Sequence, residues 1–316
     1  MMHKSGVRAA GVRGRVLVLV GVVCLALVAV VASASPALAA RPFEKFQGCP
    51  TEIPIVITCN YGVTSGGEFT INKTKVPINK SIVQQGGAIS AGNPEDPTLE
   101  VVIGAKAGFE SFQKVALNVP GGLLGFVNCT EITGEGFFEK AARESCKFVF
   151  EHGPTEVTAT TEPVANESNP PLTDSHNLSE EKGIAAVLPV RIHLKNTFLG
   201  NGCYIGSEAH PIQLNLSSGT SGTLKGKRGI ASTIKEEIPG EEEPVRALHL
   251  AENSLVDGTF AVPVSEGCGE LFGVKGFLNG IINSKIGLPS AAGNNKAKLD
   301  GEQNSTAAEE VIRSGF

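Results

Sequence analysis

Residues Leu188–Lys195 read LPVRIHLK. Val190, Ile192 and Leu194 fall on one side of an extended chain, and Arg191, His193 and Lys195 on the other. Successive side chains of a strand point to opposite faces. This alternation therefore predicts a half-buried β-strand, with the three aliphatics inward and His193 on the solvent face. The same period recurs outward from this stretch. Ile53, Ile55 and Ile57 alternate, as do Leu99, Val101 and Ile103, and again Ile212, Leu214 and Leu216. Glu68–Ile71 and Thr74–Ile78 read as the arms of a hairpin turning at Asn72–Lys73. Val157–Pro163 is rich in β-branched residues. Leu248 and Leu250 begin a further strand, and Leu255–Val264 carries a turn at Asp257–Gly258. The expectation is an all-β fold of β-sandwich architecture, as one extended unit or two packed units.

Helical signal is short. Phe137–Cys146 is one candidate. In Leu271–Ile286, residues Val274, Phe277, Leu278, Ile281 and Ile282 recur at helical spacing, and Pro289 marks a stop. At the C-terminus Thr306 and Glu309 have the spacing of a capping box.

The N-terminus reads as an export signal. Lys4, Arg8, Arg13 and Arg15 precede an apolar run from Val16 to Val31, and Ala37 and Ala39 give the spacing a signal peptidase recognises. Residues 1–40 are therefore expected to be removed, Cys24 with them. The competing reading is a retained anchor, since Val16–Ala34 is long enough to span a bilayer. Beyond it, the expected organisation is an N-terminal β domain at 41–161 and a C-terminal β domain at 184–316. Between them, residues 162–183, rich in Pro, Asn, Ser and Glu, read as a linker or long loop.

Removal of four cations and no acid takes the net charge from −5 to −9. Phosphate-backbone binding needs clustered positive charge, and Lys225–Arg228 (KGKR) is the one such run. Neither nucleic acid nor, after cleavage, a membrane is an expected partner. The expectation is an extracellular or envelope partner of unassigned identity, with the protein secreted or at the cell surface.

Six cysteines remain: Cys49, Cys59, Cys129, Cys146, Cys203 and Cys268. An even count in an exported chain points to three disulfides, with fifteen possible connectivities. Pairing of neighbours is expected: Cys49–Cys59, Cys129–Cys146 and Cys203–Cys268. The rival reading makes Cys203 a nucleophile with His210 as its base. It needs a lowered thiol pKa and an orienting group, and no Asn or Asp stands near to supply one.

Other chemistries lack their spacing. Glu241–Glu243 has no calcium-loop pattern, and the histidines form no zinc motif. Gly267–Gly273 lacks the third glycine of a dinucleotide loop, and Gly222–Arg228 is no P-loop. No catalytic residue, metal site or cofactor is assigned from the sequence. The leading expectation is a non-enzymatic structural or binding protein. An extracellular carrier of a hydrophobic ligand is the alternative, motivated by Pro120–Phe126 (PGGLLGF) and the apolar Leu271–Ile286 segment, and a secreted hydrolase comes third.

Several stretches resemble a family of secreted actinobacterial β-rich proteins with no assigned activity. In the first half they are YGVTSGGEF, KVPINKSIVQQGG and PGGLLG. In the second half they are TATTEP, LPVRIHLKNTFLGNGCYIGSEAHPI, LVDGTFAVP, GCGELFG and GLPSAAGNN. The resemblance implies an envelope or extracellular β protein, and it carries no catalytic residues over to this chain.

Overall fold

The structure, a computed structural model, describes residues 41–122, 136–137, 139–141, 143–144, 156–166, 168–269 and 275–316. A 3-10 turn, Pro42–Phe46, leads into β1 (Thr58–Ile71), β2 (Thr74–Pro77), β3 (Ile82–Ser90), β4 (Leu99–Ile103) and β5 (Ala116–Asn118). Then come β6 (Thr158–Pro163), β7 (Leu172–Asp174), α1 (Ser175–Glu180), β8 (Ala186–Lys195), β9 (Tyr204–Ile205) and β10 (Ile212–Leu216). They are followed by β11 (Thr220–Ser221), β12 (Leu224–Lys225), β13 (Ile230–Glu236), β14 (Val245–Asp257) and β15 (Ser265–Glu266). The chain closes with α2 (Lys275–Ile286), β16 (Lys296–Ala307) and α3 (Ala308–Arg313).

The fold is all-β. Fourteen of these strands form one sheet with the order β13-β14-β16-β1-β3-β4-β7-β8-β6-β5, to which β2, β9, β10 and β15 attach. The named pairings are antiparallel. The sheet folds over so that its two parts face each other as a sandwich. Ile71 of β1, Leu255 of β14 and Ala297 of β16 share one buried cluster with Val190, Ile192 and Leu194 of β8 and with Ile212 and Leu214 of β10. A second cluster under the 3-10 turn holds Phe43, Phe46, Cys49, Cys59, Val245 and Val311.

The expected split into domains at 41–161 and 184–316 does not hold, because residues 41–316 form one compact unit. β1 runs antiparallel to β16 from Thr58 opposite Ala307 to Thr70 opposite Lys296, so the two ends of the chain share the middle of the sheet. The stretch expected to be a linker, 162–183, holds the end of β6, all of β7 and α1. Its polar residues satisfy backbone instead of solvating a tether. Asp174 caps α1 by accepting from the backbone N–H of His176 and Asn177.

The hairpin at Asn72–Lys73 forms as read, with Asn72 at φ 53°. The alternation of Ile53, Ile55 and Ile57 does not make a strand. Ile53 and Ile55 lie in a bend and a turn, and Ile57 immediately precedes β1; they are exposed by 39, 64 and 47 % respectively, while Val56 is buried among them. α2 fits its helical spacing, burying Ile282 and Ile286. It ends at Gly287, whose φ of 79° lets the Gly287 and Leu288 N–H groups turn back to the Asn283 carbonyl. At α3 the capping box does not form. Thr306 instead donates its hydroxyl to the Arg246 carbonyl at 2.6 Å, and the helix has no side-chain cap. The described residues of the expected helix at 137–146 are helical. The signal segment 1–40, the Cys129–Cys146 pair and most of the PGGLLGF stretch lie outside the described residues.

Candidate functional site

β8 is the strand from which the site is built. It pairs with β6 along Thr158–Pro163 and with β9 at Ile192–His193. The register puts Thr160, His193 and Tyr204 in one row across the three strands, with Glu162 and Arg191 in the next. Directly opposite residues share a face, so these side chains gather on the side of β8 away from Val190, Ile192 and Leu194.

That side is not open to solvent, which corrects the surface reading of His193. His193 is 6 % exposed, and Thr160 and Glu162 are buried beside it. Arg191 Nε and Nη2 donate to Glu162 Oε2 at 3.2 and 3.1 Å, and Nη1 donates to Glu208 Oε1 at 3.1 Å. The Arg191 guanidinium also lies 4.4 Å from the centroid of the Tyr204 ring. The His193 ring stacks on Tyr204 at 4.3 Å. Its Nδ1 is 3.4 Å from Glu162 Oε1, yet neither ring nitrogen has a hydrogen-bond partner.

The electrostatics follow from this geometry. Burial, then the Lys195 charge, holds His193 below its ordinary value of 6.5, against the opposing pull of Glu162 and the Asn201 backbone. Burial and the Glu162 carboxylate raise the Tyr204 phenol. At neutral pH a neutral imidazole therefore stands beside the Glu162–Arg191–Glu208 ion-pair chain. Glu162 commits Oε2 to Arg191 and turns Oε1 toward His193 Nδ1.

The Cys203–Cys268 disulfide positions Tyr204. Cys203 is completely buried and bonded to Cys268, which fixes the choice between half-cystine and nucleophile in favour of the former. The bond lies beside the short β9–β15 ladder, where Ser265 faces Ile205 and Glu266 faces Tyr204. α2 holds this ladder from one side. Asn279 Oδ1 accepts from the Cys268 N–H at 2.9 Å, and Asn283 Oδ1 from the Ser265 N–H at 2.8 Å. His210 stands in the exposed turn after β9, where its N–H and carbonyl bond to Ser207. The second described disulfide, Cys49–Cys59, closes the loop that carries the exposed isoleucines.

Other singled-out residues take structural roles. Glu241 pairs with Arg313, and Glu243 with Arg246. In the KGKR run, Arg228 donates to the Ser179 carbonyl and Lys227 lies 3.6 Å from Glu252. Asp257, fully buried, accepts from Asn215, Ser221 and Thr259. Among the described residues no group of three His, Cys, Asp or Glu side chains could hold a metal ion. No helix among them is long and apolar enough to cross a membrane.

An apolar cavity of about 40 Å³ lies between the two parts of the sandwich, lined by Phe69, Val76, Leu117, Ile192, Ile205 and Ile286. Drug-sized ligands occupy pockets of roughly 300 Å³ or more, so this space gives a hydrophobic-carrier reading no support.

Sequence reasoning missed Glu162, Arg191, Tyr204 and Glu208. Glu162 stands in the stretch read as the start of a linker, and its pairing with Arg191 depends on a strand register that spans 29 residues. The available signal was an acid in TATTEP and a base in LPVRIHLK, both on expected strands. The chain matches no protein-family model, no curated protein and no solved structure.

Proposed function

We propose that this is an exported, non-enzymatic β protein with a binding or structural role outside the cytoplasm. One observation carries the reading: Cys203, the best nucleophile candidate in the sequence, is locked in a buried disulfide. Disulfides persist in oxidising compartments, which supports export, as does the signal-like start of the sequence. The Glu162–Arg191–His193–Tyr204 cluster has the marks of a structural network, because its charges engage one another and its stacked rings fill the remaining space. The outward isoleucines of the Cys49–Cys59 loop supply an apolar contact surface on a covalently closed frame.

The test is an activity screen of the purified chain against ester, glycoside and peptide substrates, beside Glu162→Gln and His193→Gln. The reading expects no turnover that either substitution abolishes. Turnover by the parent that is lost in one of the variants would replace it with a hydrolase. Fractionation of the producing cells tests export, expecting a chain that begins after Ala39 or Ala40 in the medium or envelope.

A further inference from the structure

The large sheet ends differently at its two edges. β5, at one edge, has three residues, and Lys80 Nζ donates to its Ala116 carbonyl. β13, at the other, has seven, and among the described residues no strand pairs with its outer side. Ile230, Ala231, Ser232 and Thr233 are exposed in succession, so the strand is bare on both faces there, and Ile230 is 62 % exposed. No proline interrupts it, and its register with β14 is unbroken from Ile230 to Glu236. Such an edge is a row of unpaired N–H and C=O groups that a further strand completes. We propose that the strand is supplied by a second copy of this chain, β13 against β13, antiparallel about a two-fold axis at Thr233.

The backbone determines which residues would make the bonds. Arg246 of β14 stands opposite Lys235. Its N–H donates to Glu310 Oε2 and its carbonyl accepts from Thr306 Oγ1, so both point toward β16 and α3, away from β13. Lys235 therefore exchanges no ladder bonds with Arg246, and its own N–H and C=O face outward. Such positions alternate along an antiparallel ladder, so Ala231, Thr233 and Lys235 carry the outward groups. They are symmetric about Thr233. In the proposed pairing Thr233 faces the second copy's Thr233, and Ala231 faces the second copy's Lys235. Charge favours this direction. Lys225, Lys227 and Arg228 stand before the strand, and Glu236 and Glu237 stand at its end. Antiparallel pairing sets the basic end of each copy beside the acidic end of the other. Parallel pairing would set like against like, Lys235 against Lys235 included, which is destabilising. The exposed Ile230 also becomes a diagonal neighbour of the second copy's Ile234.

The test is the mass of the purified chain in solution by sedimentation velocity, at concentrations from about 1 to about 100 μM. A dimer is expected at the upper end. Thr233→Pro removes an outward N–H from each copy and spares the β14 ladder, so it should weaken the dimer by about tenfold or more. Thr233→Cys reads the same contact without relying on the proline variant to fold. Facing residues of a hydrogen-bonded pair have Cα atoms about 5.5 Å apart, within disulfide reach, so mild oxidation should link two copies through position 233. Lys235→Cys, which faces Ala231, should not link. Ile55→Ser should leave the dimer unchanged, because the isoleucine loop lies outside this contact. A pure chain that stays monomeric throughout would overturn the inference and leave the edge to a strand of another protein. So would a dimer that Thr233→Pro does not weaken, or one that Ile55→Ser abolishes, or one that links through Lys235→Cys and not through Thr233→Cys.

Discussion

Ile53–Ile57 and Val190–Leu194 present the same signal, branched aliphatics at every second residue, and the fold treats them in opposite ways. Val190, Ile192 and Leu194 form the inner face of a strand with neighbours on both edges. Ile53, Ile55 and Ile57 face outward from the segment that leads into β1. The covalent frame accounts for the difference. The Cys49–Cys59 bond closes a separation of ten residues with its Cα atoms 5.5 Å apart, so the intervening chain must fold back on itself. Pro54 removes a backbone donor in its middle. Alternation specifies which side chains share a face. Whether that face meets another layer depends on partners that are remote in sequence.

The contrast can be put under load, beginning where the effect is largest. Replacing Cys203 and Cys268 together by alanine should cost about 4 kcal/mol in denaturant unfolding, since the bond closes a long loop and clamps β9. Truncating the buried side of β8 with Leu194→Ala should cost about 3 kcal/mol through lost transfer energy and a residual cavity. On the opposite face of the same strands, Glu162→Gln takes away the negative charge that Arg191 pairs with, and a loss of about 2 kcal/mol is expected at pH 7. At the other end of the scale stands Ile55→Ser. Its unfolding midpoint should move by no more than the equivalent of about 0.5 kcal/mol. A large loss there would mean that the isoleucine loop packs as core and is no free surface.

Much of the fold was legible because its cause is local. The β8 alternation, the Asn72–Lys73 turn and the helical spacing before Pro289 each depend on a few consecutive residues. The Cys49–Cys59 and Cys203–Cys268 pairings were also reached, from count and proximity. What escaped depends on register. Nothing near Thr58 shows that its neighbour is Ala307, and this pairing is what merges the two expected domains. His193 escaped for a related reason. Its position on the polar face of β8 was read correctly, but a polar face is solvated only if nothing covers it. Here Glu162 from β6 and Tyr204 from β9 build a buried polar layer around it. The acid of 162–183 looked like linker solvent contact for the same reason, until its strand partner was known.

The most direct measurement is thiol alkylation of the purified protein before and after reduction, read by peptide mass. The account predicts that Cys49, Cys59, Cys203 and Cys268 resist labelling until reduction, and that unreduced digests contain peptides linking Cys49 to Cys59 and Cys203 to Cys268. Labelling of Cys203 without reductant would contradict it, and would return that sulfur to the role of a nucleophile.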